Sequence, residues 1–272
     1  GNMLSVQRQS DYPGMDILAC WPEGYFPQDA KYVQMAARKC GSNGFMAEVC
    51  PFDNPEEFGK APFDNLLATM GLNYISGVRT TQSYAEADFS AFGDGRVRDF
   101  LPRNQDMFGQ VRKYFDRAQM RQLNAYVGRM GLLLDGLQNQ CTTVLYFGIE
   151  DVQAKYTPKH DCEVGAQAIG CDLATLRLLR AMLDEGRDFL FADAEDLTEI
   201  ARTGRLGGEE IRRILLPGLD VIRPEALTAL RQLKKAGVCV LFAEKLPHID
   251  ALSGQQLQLA GEFEAVSVQE AV

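Results

Sequence analysis

The sequence predicts an α/β fold in two segments, and three observations carry that prediction. Short apolar runs alternate with stretches of helical spacing, the pattern of parallel strands joined by helical crossovers. The alternation breaks once, at an irregular stretch over 85–106 followed by a long amphipathic pattern from Met107 to Leu137. It then resumes at Thr142 with strands built on unbroken apolar runs, Val144–Phe147, Phe189–Ala192, Ile214–Leu216 and Val238–Phe242. Strands of that kind are buried on both faces, as in doubly wound, flavodoxin-like sheets.

In the first segment, Ile17-Leu18-Ala19-Cys20-Trp21 reads as a strand, Asp29 to Cys40 as a helix ended by Gly41, and Phe45 to Val49 as a second strand. Phe63 to Met70, after Pro62, reads as a helix and Tyr74-Ile75-Ser76-Gly77-Val78 as a third strand. Three strands are too few to close a barrel. Within Met107–Leu137, apolar residues from Val111 to Met130 recur at three and four, with Gly136 as a C-terminal cap. In the second segment the expected strands are Thr142–Phe147, Asp188–Ala192, Ile211–Leu216 and Val238–Phe242. The expected helices are Leu173–Leu183, Asp196–Thr203 and Glu225–Lys235, the last opened by Pro224 and closed by Gly237.

Composition narrows the function. Over 272 residues, 46% hydrophobic and 24% charged residues describe a globular protein. A net charge of −9 with no Lys/Arg-rich block argues against nucleic acid as a partner. No apolar run reaches the roughly 18 residues of a membrane helix. The seven cysteines stand singly and there are two histidines, so no metal-ligand spacing emerges and neither metal nor cofactor is expected. Reduced, mostly buried thiols, with Cys239 as a core residue, fit a cytoplasmic protein.

The familiar motifs are missing. Neither G-x-G-x-x-G nor G-x-x-x-x-G-K-[ST] occurs, and Gly204–Gly208 lies between a helix and a strand, the wrong order for a phosphate cradle. The second segment's strand ends carry no cysteine elbow, and no G-x-S-x-G is present. His160 and His248 sit in loops as solvated residues. What remains is a set of residues suited to sugars, since glycoside cleavage uses two carboxylates and aromatic faces that stack on the ring. Trp21 follows the first strand with Glu23, Tyr25 and Phe26, Asp16 precedes that strand, and Glu48 closes the next one. A carboxylate at the C-terminal tip of a strand is where parallel α/β folds place catalytic groups. The plain alternatives are a structural ion pair for Glu48 and core packing for Trp21.

These residues carry a family resemblance. Asp11-Tyr12-Pro13-Gly14-Met15-Asp16, Lys31 in its helix, Met46-Ala47-Glu48 and Gly77-Val78 resemble the last three strands of a glycoside hydrolase TIM barrel. The nearest likeness is to the family-106 α-L-rhamnosidases and their relatives, with Met107–Leu137 similar to the helix that leaves the barrel. Leu215–Asp220, Pro224–Leu227 and Lys235–Val238 resemble the amidotransferase-like domain that follows the barrel there and in family-42 β-galactosidases. In those enzymes that domain has no nucleophile and serves structure or oligomerisation.

The resemblance implies a partial (β/α) barrel segment over 1–106, a connecting helix over 107–140 and a flavodoxin-like domain over 141–272. It places Glu48 as the seventh-strand carboxylate, nucleophile or general base, with Asp16, Trp21, Glu23, Tyr25 and Arg79 lining a sugar subsite. Where the family carries Asn and His on its last strand, this chain has Arg79, Thr80 and Thr81. The first five barrel strands, with the acid on the fourth, have no counterpart. The expected partners are therefore carbohydrate, together with a second copy of the chain or a missing N-terminal barrel half.

Overall fold

The computed structural model describes residues 3–17, 20, 22, 27–50, 61–83, 117–137, 140–157 and 166–272. The chain divides into two compact units, Ser5–Gln138 and Asn139–Val272, the latter joined by Gly1–Leu4. A short helix, α1 (Met3–Gln7), opens the chain. The first unit then runs β1 (Gly14–Ile17), α2 (Pro27–Cys40), β2 (Phe45–Val49), α3 (Phe63–Ile75), β3 (Val78–Ser83) and α4 (Arg117–Leu134). Its three strands form a parallel sheet in the order β1-β2-β3.

One face of that sheet is the core. Met15, Ile17, Phe45, Ala47, Val49 and Val78 pack with Ala30, Val33 and Ala37 of α2, with Leu66 and Met70 of α3, and with Leu123 of α4. The helices supply these residues at spacings of three and four, so each turns one apolar stripe to the sheet. Gly128 and Gly131 do not interrupt α4, because Met120, Tyr126 and Val127 also pack on this core and hold the helix through them.

Two strands lie elsewhere than the sequence suggests. β1 starts at Gly14, so Asp16 sits inside the strand, and residues 18, 19 and 21 of the expected strand are outside the described set. The third strand begins at Val78 because α3 runs on through Tyr74 and Ile75. Leu66, Met70 and Tyr74 are buried at intervals of four, and that packing outweighs the β-propensity of Tyr-Ile. Gly77 (φ +112) then makes the turn, against Phe45, whose ring would stand 3.0 Å from a Cβ placed there. The expected loop at 85–106 and residues 107–116 of the long helix lie outside the described residues.

The second unit is doubly wound. It contains β4 (Thr143–Tyr146), α5 (Ile149–Lys155), α6 (Ala166–Asp184), β5 (Leu190–Ala192) and α7 (Ala194–Thr203). A small hairpin follows, β6 (Arg205–Leu206) with β7 (Glu209–Glu210), built on the glycines of Gly204–Gly208. Next come β8 (Arg213–Leu216), β9 (Val221–Ile222), α8 (Pro224–Lys235) and β10 (Cys239–Ala243). The chain ends in β11 (Ile249–Asp250), β12 (Ala265–Val266) and α9 (Val268–Ala271).

The main sheet is all parallel in the order β12-β10-β8-β4-β5. Counted along the chain from the other edge this is 2-1-3-4-5, the flavodoxin-like order. Val144, Leu145, Tyr146, Leu190, Phe191, Ile214, Leu215 and Leu216 are all buried, as strands covered on both faces require. α7 is started by a capping box in which Asp193 and Asp196 each satisfy the other's backbone N–H. Cys239 corrects the expectation of a core thiol: it opens β10 on the exposed side, whereas Cys20, Cys50 and Cys141 are buried.

Candidate active site

Strand register brings the site together. Side chains alternate across a parallel sheet, so when Met15, Ile17, Ala47 and Val49 enter the core, Asp16 and Glu48 face the other way. Asp16 pairs with Glu48 across β1 and β2, and Glu48 pairs with Gln82 across β2 and β3. Neighbouring strands are about 4.8 Å apart. A row of Asp16, Glu48 and Gln82 therefore crosses the C-terminal ends of the three strands. Asp16 and Gln82 are exposed and Glu48 is half-buried between them. One row back, Met46 pairs with Thr80, whose hydroxyl shares a 3.0 Å hydrogen bond with the Tyr12 hydroxyl.

The electrostatics single out Glu48. Burial, the negative charge of Asp16 and a hydrogen bond with the Asp16 carboxyl all push the Glu48 pKa above the ordinary glutamate value. The Cys50 thiol, just beyond Glu48, is pushed up to about 12 by burial and by the charges of Glu48 and Asp16. Cys20 donates its thiol to the Cys50 carbonyl at 3.2 Å. Burial and the nearby Cys50 push it up to about 12 as well, against a hydrogen bond with Thr69. Thiols held so far above neutrality are poor nucleophiles.

The structure brings together two of the residues singled out from the sequence, Asp16 and Glu48. Trp21, Glu23 and Tyr25 lie outside the described residues. Arg79 is a correction. The β2–β3 register shifts between Phe45 and Met46, leaving Arg79 as the extra, bulged residue between Val78 and Thr80. Its guanidinium donates to the carbonyls of Val78 (2.8 Å), Tyr74 (3.0 Å) and Leu137 (3.0 Å). Those bonds hold it near the start of β2, roughly three residues or 10 Å from the Glu48 row. Gln82 lies beyond the third strand expected from the sequence, which ends at Val78, whereas β3 runs on to Ser83. Its signal is the β-branched pair Thr80-Thr81, which belongs in a strand.

The strand tips of the second unit are filled by the protein's own groups. Tyr146 donates to Glu150 at 2.5 Å and the Arg223 N–H donates to the same carboxyl at 3.3 Å. Burial raises the Glu150 pKa, with these hydrogen bonds working against it. Asp151 accepts from the Asp220 and Val221 N–H groups at 3.0 and 2.9 Å, and Lys155 bridges Asp151 and Asp220 at 2.9 and 2.5 Å. Burial tends to raise Asp220, but Lys155 and Lys245 outweigh it and hold that carboxyl below its ordinary value.

Leu219 occupies the crevice beside Gly148, at 2.8 Å from where a Cβ would stand. Glu244, with φ +70, turns sharply after β10 as a nucleophile elbow does. It presents a carboxylate, paired with Arg177 at 2.8 Å, where an elbow enzyme has a thiol or hydroxyl. Among the described residues no cluster of His, Cys, Asp and Glu is placed to hold a metal ion. Among them, too, no helix is long and apolar enough to cross a membrane.

No protein-family model matches the sequence, and no curated protein matches it either. Solved structures do share the fold. The beta-galactosidase of Rahnella sp. R3 gives a TM-score of 0.62 at 13% identity, covering 100% of this chain and 38% of that one. A GH42 beta-galactosidase from G. stearothermophilus gives 0.58 at 13% identity, covering 93% of this chain and 35% of that one. A beta-galactosidase from Bacillus circulans sp. alkalophilus gives 0.57 at 10% identity, over 89% and 33%.

The chain thus spans little more than a third of the length of these structures. At such identities the likeness is one of fold: mixed α/β with parallel sheets, shared with part of TIM-barrel glycosidases. It falls on the family-42 side of the resemblance seen in the sequence, and the family-106 rhamnosidases gain no support from it.

Proposed function

We propose that this chain is a glycoside-hydrolase-like protein that acts on or binds carbohydrate, with Glu48 as its catalytic carboxylate. The observation that carries the reading is the position of Glu48. It lies at the C-terminal end of a central parallel strand, on the sheet face opposite α2, α3 and α4, beside Asp16 and Gln82. That is the end at which parallel α/β enzymes do their chemistry. Trp21, Glu23 and Tyr25 follow β1 in the chain and are the proposed sugar-stacking and hydroxyl-binding groups. The similar structures are named as beta-galactosidases, which makes a β-linked galactoside the first substrate class to test.

Asp16 sits on the strand next to Glu48 and on the same face, so the pair cannot straddle a glycosidic bond. Two carboxyls working across such a bond stand about 5–9.5 Å apart on opposite sides of it. No second carboxylate across the bond is found among the described residues, so the chain by itself is proposed to be an incomplete catalyst. The amidotransferase-like character of the second unit and a homo-oligomeric state, or a further polypeptide that completes the barrel, belong to this proposal. The open, polar face also favours a second reading, a non-catalytic carbohydrate-binding or oligomerisation module.

Hydrolysis of aryl β-galactosides separates the two. Turnover by the wild type, with a loss of about 10²–10⁴-fold in kcat in Glu48→Gln, supports an enzyme. A wild type that binds galactosides in calorimetry but releases no aryl alcohol even when assembled with the copy or polypeptide that completes its barrel sinks the catalytic reading and favours the module.

A further inference from the structure

The bulge in β3 selects which of its side chains the open face receives. Val78 pairs with Phe45 in the core, and beyond the extra residue Arg79 the register continues as Thr80 with Met46 and Gln82 with Glu48. Without that residue the rest of β3 would be turned over, because a one-residue slip sends every side chain to the opposite face. Thr81 marks the covered side, where it hydrogen-bonds the buried Tyr74 phenol. Gln82 is left exposed on the open side, one strand spacing of about 4.8 Å from Glu48. The polar groups around it are spent on the protein itself. The Tyr12 and Thr80 hydroxyls share a hydrogen bond, and the Arg79 guanidinium is bound to the carbonyls of Tyr74, Val78 and Leu137. Asp16 hydrogen-bonds Glu48. The Gln82 amide has no such tie among the described residues.

A sugar hydroxyl both gives and takes hydrogen bonds. An ionised carboxylate only accepts them, whereas an amide has N–H donors as well as a carbonyl acceptor. In the row Asp16, Glu48 and Gln82, the carboxylates can take a hydroxyl's hydrogen bond, but the amide is the group that gives one to its oxygen. We infer that Gln82 is the specificity-determining residue of this face, donating to a sugar hydroxyl whose own hydrogen bond goes to the Glu48 carboxylate. The inference rests on the carbohydrate reading above and names the group that tells a hydroxylated ring position from a deoxy one. Sites that hydrogen-bond a hydroxyl reject the analogue lacking it, because their own polar group is then left without its partner. The amide is neutral and its neighbours in the row are carboxyls, so the ring position it selects is an uncharged one.

The test is an NMR titration of the full chain in its solution assembly, ¹⁵N-labelled in the glutamine side chains, with methyl β-galactoside as the probe. The Gln82 amide signal is assigned by its absence in Gln82→Met. That signal is expected to shift as the galactoside binds, and Gln82→Met to weaken binding about five- to tenfold. One monodeoxy analogue of the galactoside is expected to bind wild type and Gln82→Met alike, while the others keep the difference. Gln82→Glu, which keeps the length but puts a third carboxyl in place of the donors, is expected to bind the galactoside more weakly than Gln82→Met. A galactoside that binds without moving the amide signal, a loss in Gln82→Met that is equal for every analogue, or wild-type affinity in Gln82→Glu overturns the inference and leaves the carbohydrate reading standing. A chain that binds no galactoside at all removes the carbohydrate reading, and the inference falls with it.

Discussion

At the scale of single residues, Glu48 weighs against the stability of its own fold once it ionises. Its pKa is raised in the folded state by burial first and by Asp16 second, so the native protein binds this proton more tightly than the unfolded chain does. The stabilising contribution is complete below the ordinary glutamate value and is lost as pH rises through the folded value. Glu48→Gln, which cannot ionise, is accordingly expected to be at least as stable as the wild type at neutral pH. It should also flatten the fall in thermal midpoint between the acid range and neutrality. The gain is small, because water still reaches the group and screens it. Thermal scans at a series of pH values check this, and a variant clearly less stable than wild type at pH 7 contradicts it. A residue that costs stability and is unneeded for packing is the kind that function retains.

Among the elements, the β2–β3 pairing decides what the site contains. The bulge at Arg79 adds one residue to β3, so Gln82 rather than Thr81 stands in register with Glu48. Gly44 makes room for it: its backbone has φ +146, and a Cβ would lie 2.3 Å from Arg79 Cγ. Gly44→Ala is expected to lower stability by about 1–3 kcal/mol through backbone strain alone, with the Arg79 clash added. Denaturant unfolding would show it as a lower midpoint, and an unchanged midpoint would mean the bulge relaxes freely.

The same elements show where the sequence could be read and where it could not. Phe45–Val49 was legible to the residue, because it is a short apolar run bounded by glycine and a polar turn. The helix α3 ran past its expected end because Tyr74 continues the stripe of Leu66 and Met70, which shows only once there is a sheet to pack on. Arg79 looked like a ligand-binding cation because its three carbonyl partners come from α3, β3 and the end of α4. Convergence of that kind leaves no local pattern.

For the molecule as a whole, the contrast between the two sheets matters most. The five-stranded sheet of the second unit has buried strands of the kind that helices cover on both sides. The three-stranded sheet of the first unit has one covered face and one on which Asp16, Thr80 and Gln82 remain exposed. Among the described residues, β1 and β3 each pair only with β2. The long helix α4 does not cover the open face, because it packs on the core side through Leu123 and against α3. Open strand edges recruit partners. A homo-oligomer, or a complex with a polypeptide that brings further strands, is therefore expected in solution. Light scattering with an apolar-surface dye checks it: a strictly monomeric species that binds no dye counts against any such cover.

The sequence by itself determined the α/β class, the parallel connections and the doubly wound second unit. Hydrophobic periodicity and helix punctuation are local, and they survive without knowledge of the partner element. It also marked Glu48, since a carboxylate closing an apolar run has few structural uses. Only the tertiary structure decided that Asp16 stands beside Glu48, that Gln82 completes the row and that Arg79 is tied down elsewhere. Those facts depend on which residues meet across strands about thirty positions apart in the chain. A one-residue change of register turns every side chain to the other face, and no local pattern in either strand records it.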